Sequence, residues 1–191
     1  MNEFKAFIDV ETTGFDYLNN DIVSLCCIIT DQNLRIQKIH TSYVIPDNLN
    51  SWSDHAERVH GFTKFDVMRK PFVNSRKSAI GFLTFLKEFK HENNYPMEFV
   101  SHSNGFDFKM LLGMFIKNDL QFSLYKIFNQ RFQTSTIKLA RKAYQLKSYK
   151  LGNICEHLGI ELDAHEVVSD TKACFEIYRR IQNEDGIFQM Q

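Results

Sequence analysis

The alternation of apolar and polar residues predicts strands in the first quarter of the chain. Residues 4–11 and 22–30 form short, mostly apolar runs that are typical of buried strands, and residues 34–44 follow with a less regular pattern. Residues 31–33, Asp-Gln-Asn, supply a turn between the last two runs. The sequence therefore predicts a three-stranded antiparallel meander.

Beyond this meander the pattern changes to helices. Residues 48–60 are polar and predict an irregular segment with one helical turn. Residues 74–90 predict an amphipathic helix, because apolar residues recur at helical spacing. These apolar residues are Ile80, Leu83, Leu86 and Phe89. A short strand is expected at residues 97–101.

Further helices are predicted at residues 106–117, 136–145, 148–158 and 167–182. Ser148 is expected to cap the third of these helices, and Gly159 is expected to end it. Strands come first, and helices then alternate with at least one more strand. This order indicates the α/β fold class, with helices packed around a mixed sheet.

Composition limits the class of protein. The 191 residues are 43% hydrophobic and 24% charged, which predicts a single domain over residues 1–191. The formal net charge of zero argues against a protein that coats nucleic acid by charge alone. It still allows an enzyme that holds a few phosphates through metal ions.

Cysteine usage and the absence of targeting patterns predict a cytoplasmic protein. The four cysteines form no C-x-x-C pair, so no zinc site is expected and all four are predicted to be reduced. The amino terminus lacks a secretory signal pattern. No apolar run approaches the ~20 residues of a membrane span, so no membrane partner is expected.

Two acids end the first predicted strand, in the segment Asp-Val-Glu-Thr-Thr-Gly of residues 9–14. Positions i and i+2 of a strand share a face, so Asp9 and Glu11 are expected to project side by side. Unpaired carboxylates placed this way repel each other, and a divalent cation such as Mg²⁺ removes the repulsion. The alternative is a pair of solvated acids at the end of a strand.

Two later segments add two more acids and a histidine. Asp107 lies in the first turn of a predicted helix, where the helix dipole favours a carboxylate. Asp170 precedes the apolar stripe of the last helix and follows His165 by five residues, about 500° of helical rotation. The two converge only if His165 lies on the preceding loop or the first turn. Taken singly, Asp107 is also consistent with helix capping, and His165 and Asp170 with exposed surface positions.

The order of these segments resembles the DEDDh group of 3′–5′ exonucleases, the family of the proofreading subunit of bacterial replicative polymerase. Residues 9–14 are similar to the first motif of that family, and Phe106-Asp107 with His102 to the second. His165 and Asp170 are similar to the third motif, with the spacing of the h subgroup. Weaker similarity is found at residues 60–63 and 148–160, and the resemblance covers about residues 4–182.

The sequence departs from the family pattern in two places. Ser103 stands where the second motif usually has Asn, and residues 134–136, Thr-Ser-Thr, lack the acid of the usual Asp-Thr. Neither departure removes an expected metal ligand. They concern substrate contacts.

The resemblance implies a ribonuclease H-like fold, with a mixed five-stranded sheet flanked by helices. It also implies two Mg²⁺ ions, for which Mn²⁺ would substitute. In this scheme Asp9 bridges both ions, Glu11 and Asp170 complete the site that activates water, and Asp107 holds the second ion. His165 is the implied general base, a role that suits a side chain with an intrinsic pKa of about 6.5.

The implied substrate is the 3′ end of a nucleic acid, with single-stranded DNA favoured. Phe15 matches the position of an apolar wedge that stacks against the terminal bases, and the alternative is that Phe15 packs within a loop. Further substrate contacts are implied at Thr12, Thr13, Gly14, His60 and Phe106.

A basic cluster lies between the second and third motifs, at Lys138, Arg141, Lys142, Lys147 and Lys150. Its first three members have the i, i+3, i+4 spacing of one helix face. This face is expected either to follow the phosphate backbone of the substrate or to be simply solvated.

Other functions remain open at this point. One is an RNA-trimming exoribonuclease or oligoribonuclease with the same chemistry. Another is a catalytically silent domain that binds nucleic acid, and a third, an aspartate-nucleophile phosphatase, is disfavoured by Glu11 and the late His-Asp motif. Residues 183–191 contain no evident polymerase tether, so a stand-alone enzyme is expected.

Overall fold

A mixed six-stranded sheet forms the centre of the protein and carries helices on both faces. The computed structural model describes residues 4–69, 71–89 and 97–188. The strands are β1 Phe4–Thr12, β2 Ile22–Asp31, β3 Ile36–Ile45, β4 Val73–Asn74, β5 Met97–Ser101 and β6 Phe128–Ser135. The helices are α1 Asp54–His60, α2 Ser75–Lys87, α3 Asn104–Lys117, α4 Gln121–Ile127, α5 Thr136–Ala143, α6 Leu151–Leu158 and α7 Val167–Phe188, with 3₁₀ turns at Leu49–Ser51 and Asp66–Met68.

The strand order is β4-β3-β2-β1-β5-β6. β1, β2 and β3 pair antiparallel, which confirms the predicted meander, while β5 runs parallel to β1 and β6 parallel to β5. The α/β class and the mixed sheet are therefore confirmed. The sheet has six strands instead of five, because the two residues of β4 pair with Val44 and Ile45 at its edge.

Each face of the sheet packs against its own group of helices, because side chains alternate along a strand. Ile8 of β1 belongs to the core built with α2, α3 and α4. Its neighbour Phe7 points the other way and makes edge-to-face contacts with Phe175 and Tyr178 of α7, at ring-centroid distances of 5.2 and 5.3 Å. Odd-numbered positions of β1 therefore face α7.

Residues 48–60 contain a 3₁₀ turn and the two-turn helix α1, more helix than the single turn predicted. The Ser53 hydroxyl accepts hydrogen bonds from the backbone N–H groups of His55 and Ala56 at 3.2 and 3.4 Å. Gly61 ends the helix with φ of +76°, a left-handed conformation that glycine adopts at little cost. The Ser53 N–H also donates to the Thr13 carbonyl at 2.8 Å, which fixes α1 beside the end of β1.

The predicted helices contain two further errors. Ile80 was assigned to the apolar face of α2, but it is exposed, and buried Ala79 and Phe82 take that face instead. α6 begins at Leu151 and its cap position is Lys150, so Ser148 lies outside the helix. Gly159 ends α6 as predicted, with φ of +62°. The predicted end of α2, residue 90, lies outside the described residues.

The loop after β1 lies directly on α3. A Cβ atom at Gly113 would come within 2.1 Å of the Tyr17 carbonyl oxygen, so only glycine allows this approach. At Gly14 a Cβ atom would lie 2.7 Å from the side chain of Asn20. The two glycines let this loop pack between β1 and α3.

The four cysteines are free and buried. Across the described ranges, no helix is both long enough and apolar enough to cross a membrane.

Candidate active site

The carboxyl end of β1 carries the first two acids. Asp9 and Glu11 share the face of Phe7, so both point toward α7, and both are half-buried. They pair across the sheet with Cys26 and Ser24 of β2. A strand buried on both faces therefore ends in two adjacent carboxylates.

The amino end of α7 supplies Asp170 to the same place. Glu166 caps this end, because its side chain accepts a hydrogen bond from the Ser169 N–H at 2.7 Å. The backbone N–H of His165 donates to Asp170 Oδ2 at 3.1 Å. One potential ligand atom each from Glu11, His165 and Asp170 lies within 4.8 Å of the others. His165 lies on the loop before α7, the arrangement that convergence with Asp170 required.

Asp107 enters from the first turn of α3. β5 runs parallel to β1, so the connection from β5 into α3 emerges at the end of the sheet where Asp9 lies. The Asp107 side chain is buried, and its N–H donates to the Ser103 carbonyl at 3.2 Å. Asp107 is thus held by the helix start and interacts electrostatically with Asp9 and Glu11.

Crowding and burial make these four acids hard to ionise together. Burial raises the pKa of Glu11 to about 8, and the carboxylates of Asp170 and Asp107 add to the rise. Burial likewise raises the pKa of Asp107 to about 7 and that of Asp170 to about 6. Burial, followed by repulsion from Asp107, holds the pKa of Asp9 well above its usual value. Near neutral pH the cluster therefore requires positive charge to be fully ionised.

The donor set fits a divalent cation. Asp170 Oδ1 is buried and has no hydrogen-bond partner, although Oδ2 of the same carboxylate has one. A buried carboxylate oxygen without a partner is costly unless a cation or water binds it. The side chains of Asp9, Glu11, Asp107 and Asp170 offer only oxygen ligands, which Mg²⁺ and Mn²⁺ prefer.

His165 differs from the acids in its exposure. Its side chain is exposed, and its backbone has φ of +70°. Histidine is among the residue types that adopt this conformation most often after glycine. The imidazole is therefore presented to solvent at the edge of the acid cluster.

A small apolar cleft of about 130 Å³ adjoins the acids. Phe15 stands at its mouth and is 73% exposed, so it does not pack within the loop. Its ring centroid lies 5.9 Å from that of Phe106 and 6.1 Å from that of His55. His60 and Val59 also line the cleft. The structure thus gathers Phe15, Phe106 and His60 beside the acids.

His55 and Val59 were missed by the sequence analysis. Both lie on α1, which was predicted to be mostly irregular. The cap residue Ser53 and the terminating Gly61 are the sequence signals that identify this helix. With α1 assigned, the positions two and six residues after Ser53 share a helix face and would have been candidates.

Of the three residues after Glu11, Thr12 and Gly14 line the cleft and Thr13 does not. Thr13 is fully buried. Its N–H donates to the Asp21 carbonyl at 2.8 Å, its hydroxyl accepts from the Asp21 N–H at 2.9 Å, and its carbonyl accepts from the Ser53 N–H. Thr13 is thus held by hydrogen bonds within the protein, and its expected contact with substrate stays a prediction.

His102 joins the second motif to the helices behind it. Its Nδ1 lies 2.9 Å from Thr136 Oγ1, and its carbonyl accepts a hydrogen bond from the Ser135 hydroxyl at 2.8 Å. Thr136 Oγ1 in turn lies 3.9 Å from Cys174 Sγ of α7. Burial lowers the pKa of His102 to about 4, so this ring is neutral and acts through hydrogen bonds.

Comparison with protein families decides the classification. The model of the family RNase_T, described as Exonuclease, matches residues 6–178. The chain belongs to this exonuclease family. The match confirms the resemblance found in the motifs and the prediction of an exonuclease domain.

The relatives of this chain include DNA polymerase proteins and an oligoribonuclease, and they differ in length. The exonuclease chain is 26% identical to DNA polymerase III subunit epsilon of Aquifex aeolicus over 190 residues, which cover 93% of this chain and 79% of the relative. It is 26% identical to the PolC-type DNA polymerase III of Caldanaerobacter subterraneus over 181 residues, 92% of this chain and 11% of that one. It is 30% identical to the mitochondrial oligoribonuclease of Mus musculus over 94 residues, 46% of this chain and 39% of that one. The chain thus spans much of the first relative and less than half of the other two.

Solved structures show the same fold. Exonuclease I of E. coli in complex with a dT13 oligonucleotide superposes with a TM-score of 0.81 at 18% identity, over 99% of this chain and 43% of that one. A zinc-bound complex of the same enzyme with single-stranded DNA gives a TM-score of 0.79 over 96% of this chain and 41% of that one. At this level of identity the similarity establishes the ribonuclease H-like fold alone.

Proposed function

We propose that this chain is a metal-dependent 3′–5′ exonuclease that acts as one domain. It hydrolyses the phosphodiester bond at the 3′ end of a nucleic acid strand, prefers single-stranded DNA and releases nucleoside 5′-monophosphates. One observation carries the proposal: acids from β1, α3 and α7 converge beside an exposed histidine, with Glu11, His165 and Asp170 within 4.8 Å of one another. The family match and the epsilon relative support the same activity.

Each member of the cluster has a distinct role in the proposed reaction. Asp9, Glu11, Asp107 and Asp170 hold two divalent cations. When bound, the cations supply charge stabilisation for the attacking and leaving oxygens of an in-line displacement. The Asp170 carboxylate is oriented for its part by the backbone N–H of His165.

His165 takes the proton of the attacking water. The water oxygen forms a bond to phosphorus while the bond from phosphorus to the 3′ oxygen of the preceding nucleotide breaks. The exposed imidazole can accept this proton and return it to solvent. Proton transfer to a positioned side chain of this kind accelerates hydrolysis. The terminal nucleotide leaves with its phosphate on the 5′ oxygen, and the 3′ oxygen of the shortened strand keeps the electron pair of the broken bond and takes a proton from solvent.

His165 also lies close enough to the acids to bind a cation itself. We favour the base role for Mg²⁺, since this ion takes oxygen ligands and rarely takes nitrogen. Mn²⁺ accepts imidazole more readily. A His165→Asn variant that loses turnover in Mg²⁺ while keeping its Mn²⁺ affinity supports the base role, and a variant that loses Mn²⁺ affinity contradicts it.

The cleft beside the acids suits the terminal nucleoside. Phe15, Phe106 and His55 give it aromatic edges on which unpaired bases stack. Thr12 and Gly14 line its floor, and the Thr12 hydroxyl donates to the Gly14 carbonyl at 2.7 Å, which sets the backbone there. A base that stacks in this cleft cannot be paired with a second strand, so the cleft favours a single-stranded end.

A time course on 5′-labelled oligonucleotides tests the proposal. Single-stranded DNA, duplex DNA and RNA of one sequence are incubated with Mg²⁺, with Mn²⁺ and with EDTA. A ladder that shortens one nucleotide at a time, fastest on single-stranded DNA and absent in EDTA, is expected. Internal cuts, 5′ shortening or unchanged activity in EDTA would refute the mechanism.

An oligoribonuclease activity is the second candidate, favoured by the similarity to the murine mitochondrial enzyme over 94 residues. Faster turnover of RNA than DNA in the same time course supports it. A catalytically silent nucleic-acid-binding domain is the third, and binding without hydrolysis in either metal supports that instead.

A further inference from the structure

One stretch of the chain is basic although the whole chain is neutral. No Asp or Glu lies between Asp119 and Glu156, and seven Lys and Arg residues fall in that interval. Five of the seven form the basic face, defined here as Lys138, Arg141, Lys142, Lys147 and Lys150. It spans α5 and the segment that leads into α6.

The basic face is open to solvent and carries uncompensated charge. All five side chains are exposed. Among the residues that the structure describes, none of the five forms an ion pair with a carboxylate. Arg141 is held over the ring of Tyr149, 5.3 Å from its centroid, a contact that leaves its charge available. Several unpaired cations on one surface create a positive potential that attracts polyanions.

This face is continuous with the acid cluster. A cavity of about 310 Å³ has Lys150 and the start of α6 on one wall and His165 and Asp170 on the other. The first turn of α6 contains no acid, and no side chain caps it. The start of α5 also lies beside the second motif, because the hydroxyl of its cap residue Ser135 donates a hydrogen bond to the His102 carbonyl. A strand whose 3′ end lies at the acids can therefore pass onto α5.

We infer that the basic face binds the phosphates that precede the terminal nucleotide, so that the enzyme selects chains of several nucleotides over dinucleotides. This inference rests on the proposed exonuclease function and specifies its substrate class. The eight residues of α5 span about 12 Å, enough to accompany a few successive phosphates. On this inference, a dinucleotide bound at the acids is too short to reach the basic residues of α5.

The charge contribution has a measurable size. Binding of a single strand weakens with salt by a slope of about 0.7 per phosphate contact on logarithmic axes. Lys138 and Lys142 lie one helical turn apart on α5, and changing both to Gln leaves the contact between Arg141 and Tyr149 in place. Loss of two contacts is expected to reduce the slope by about 1.4 and to weaken binding roughly 10- to 30-fold near 0.1 M salt.

The test compares this double variant with a matched control on the opposite face of the sheet. Lys77 and Lys87 are exposed on α2, so Lys77→Gln/Lys87→Gln removes the same charge from the other layer. Fluorescence anisotropy with a labelled 12-nucleotide single strand in EDTA measures binding at several salt concentrations. The reduced slope is expected for Lys138→Gln/Lys142→Gln and not for the control.

Turnover separates the basic face from the catalytic centre. The values of kcat/KM are measured with Mg²⁺ on the 12-mer, a dinucleotide and thymidine 5′-monophosphate p-nitrophenyl ester. The ratio of 12-mer to dinucleotide is expected to fall about tenfold or more in the α5 variant, with ester hydrolysis unchanged. Equal losses on the 12-mer and the dinucleotide, or equal losses in both double variants, would overturn the inference.

Two further outcomes keep the two proposals apart. If wild type hydrolyses none of the three substrates but binds the 12-mer through α5, the exonuclease proposal fails while the basic face stands as a nucleic-acid surface. If the α5 variant binds the 12-mer as well as wild type does but loses binding to phosphatidylserine vesicles, the face serves a membrane and the inference is wrong.

Discussion

The backbone N–H of His165 donates a hydrogen bond to Asp170 Oδ2 at 3.1 Å, while the imidazole of the same residue is exposed. In the proposed mechanism this residue therefore makes two separable contributions. Its backbone orients an acid, and its side chain accepts the proton of the attacking water. A side-chain substitution that the backbone conformation tolerates therefore removes only the second contribution.

His165→Asn is the substitution best suited to this test, because Asn adopts a φ of +70° more readily than Ala does. We expect kcat to fall by about 10²- to 10⁴-fold with little change in KM, since a general base is lost. His157→Asn on α6, also an exposed histidine, is the control and should retain activity. Wild-type turnover in His165→Asn would exclude the base role.

Removing one acid should stabilise the metal-free protein. The pKa of Asp107 is raised from 3.8 to about 7 by burial, and that of Glu11 from 4.5 to about 8. The folded state therefore holds protons that the unfolded state has released, and stability is lost as pH rises from about 4 through 8. We expect the Tm of Asp107→Asn in EDTA to exceed that of wild type at pH 8 and to match it near pH 4.

Added Mg²⁺ should reverse this order at pH 8. The cation binds the folded wild type and raises its Tm, whereas Asp107→Asn has lost a ligand and should gain less. Thermal unfolding measured in EDTA alone, and again with Mg²⁺ in excess over the chelator, reports both effects. A wild-type Tm that rises with pH in EDTA relative to the variant would contradict the electrostatic account.

Phe15 should contribute to substrate binding by about the free energy of stacking one base on an aromatic ring. Phe15→Ala is expected to raise KM for a single strand by roughly 5- to 150-fold, the equivalent of ~1–3 kcal/mol per stacked base. Phe122→Ala is a matched control, because Phe122 is 74% exposed and Phe15 is 73% exposed, but Phe122 lies on α4 away from the cleft. Equal effects of the two substitutions would remove the case for a wedge.

Gly113→Ala tests the fit of the loop onto α3. The added methyl group would lie 2.1 Å from the backbone oxygen of Tyr17, so helix and loop must separate. We expect a loss of about 1–3 kcal/mol in the free energy of unfolding. Gly105→Ala in the same helix has nothing within 4 Å and should be neutral or stabilising. Urea unfolding of both variants measures the difference.

The sequence predicted those parts of the fold that depend on local periodicity. β1, β2, α3 and α7 have regular apolar patterns, and their boundaries agree with prediction to within a few residues, except at the carboxyl end of α7. β6 was missed because its sequence, FNQRFQTS, shows no alternation, and its place depends on pairing with β5. Ile80 was misassigned because helical spacing alone does not tell which side of an apolar stripe meets the sheet.

The site was predictable where chemistry constrains residue type. Acids at positions 9 and 11 share a face in any strand, and the convergence of Asp170 with His165 requires a loop position for the histidine. The hydrogen bonds of Thr13 could not be predicted in this way. Its hydroxyl and backbone bond to Asp21 and Ser53, and these contacts depend on the path of a loop that local sequence patterns do not reveal.

The acids that meet in the cluster are far apart in the sequence. Asp9 and Glu11 lie on β1, whereas Asp170 lies on α7, the last helix of the described residues. Since α7 packs directly on β1, the acids can meet only after every element from β1 to α7 has been synthesised and α7 has docked on the sheet. The proposed catalytic centre is therefore a product of tertiary folding, and no shorter fragment that lacks α7 can contain it.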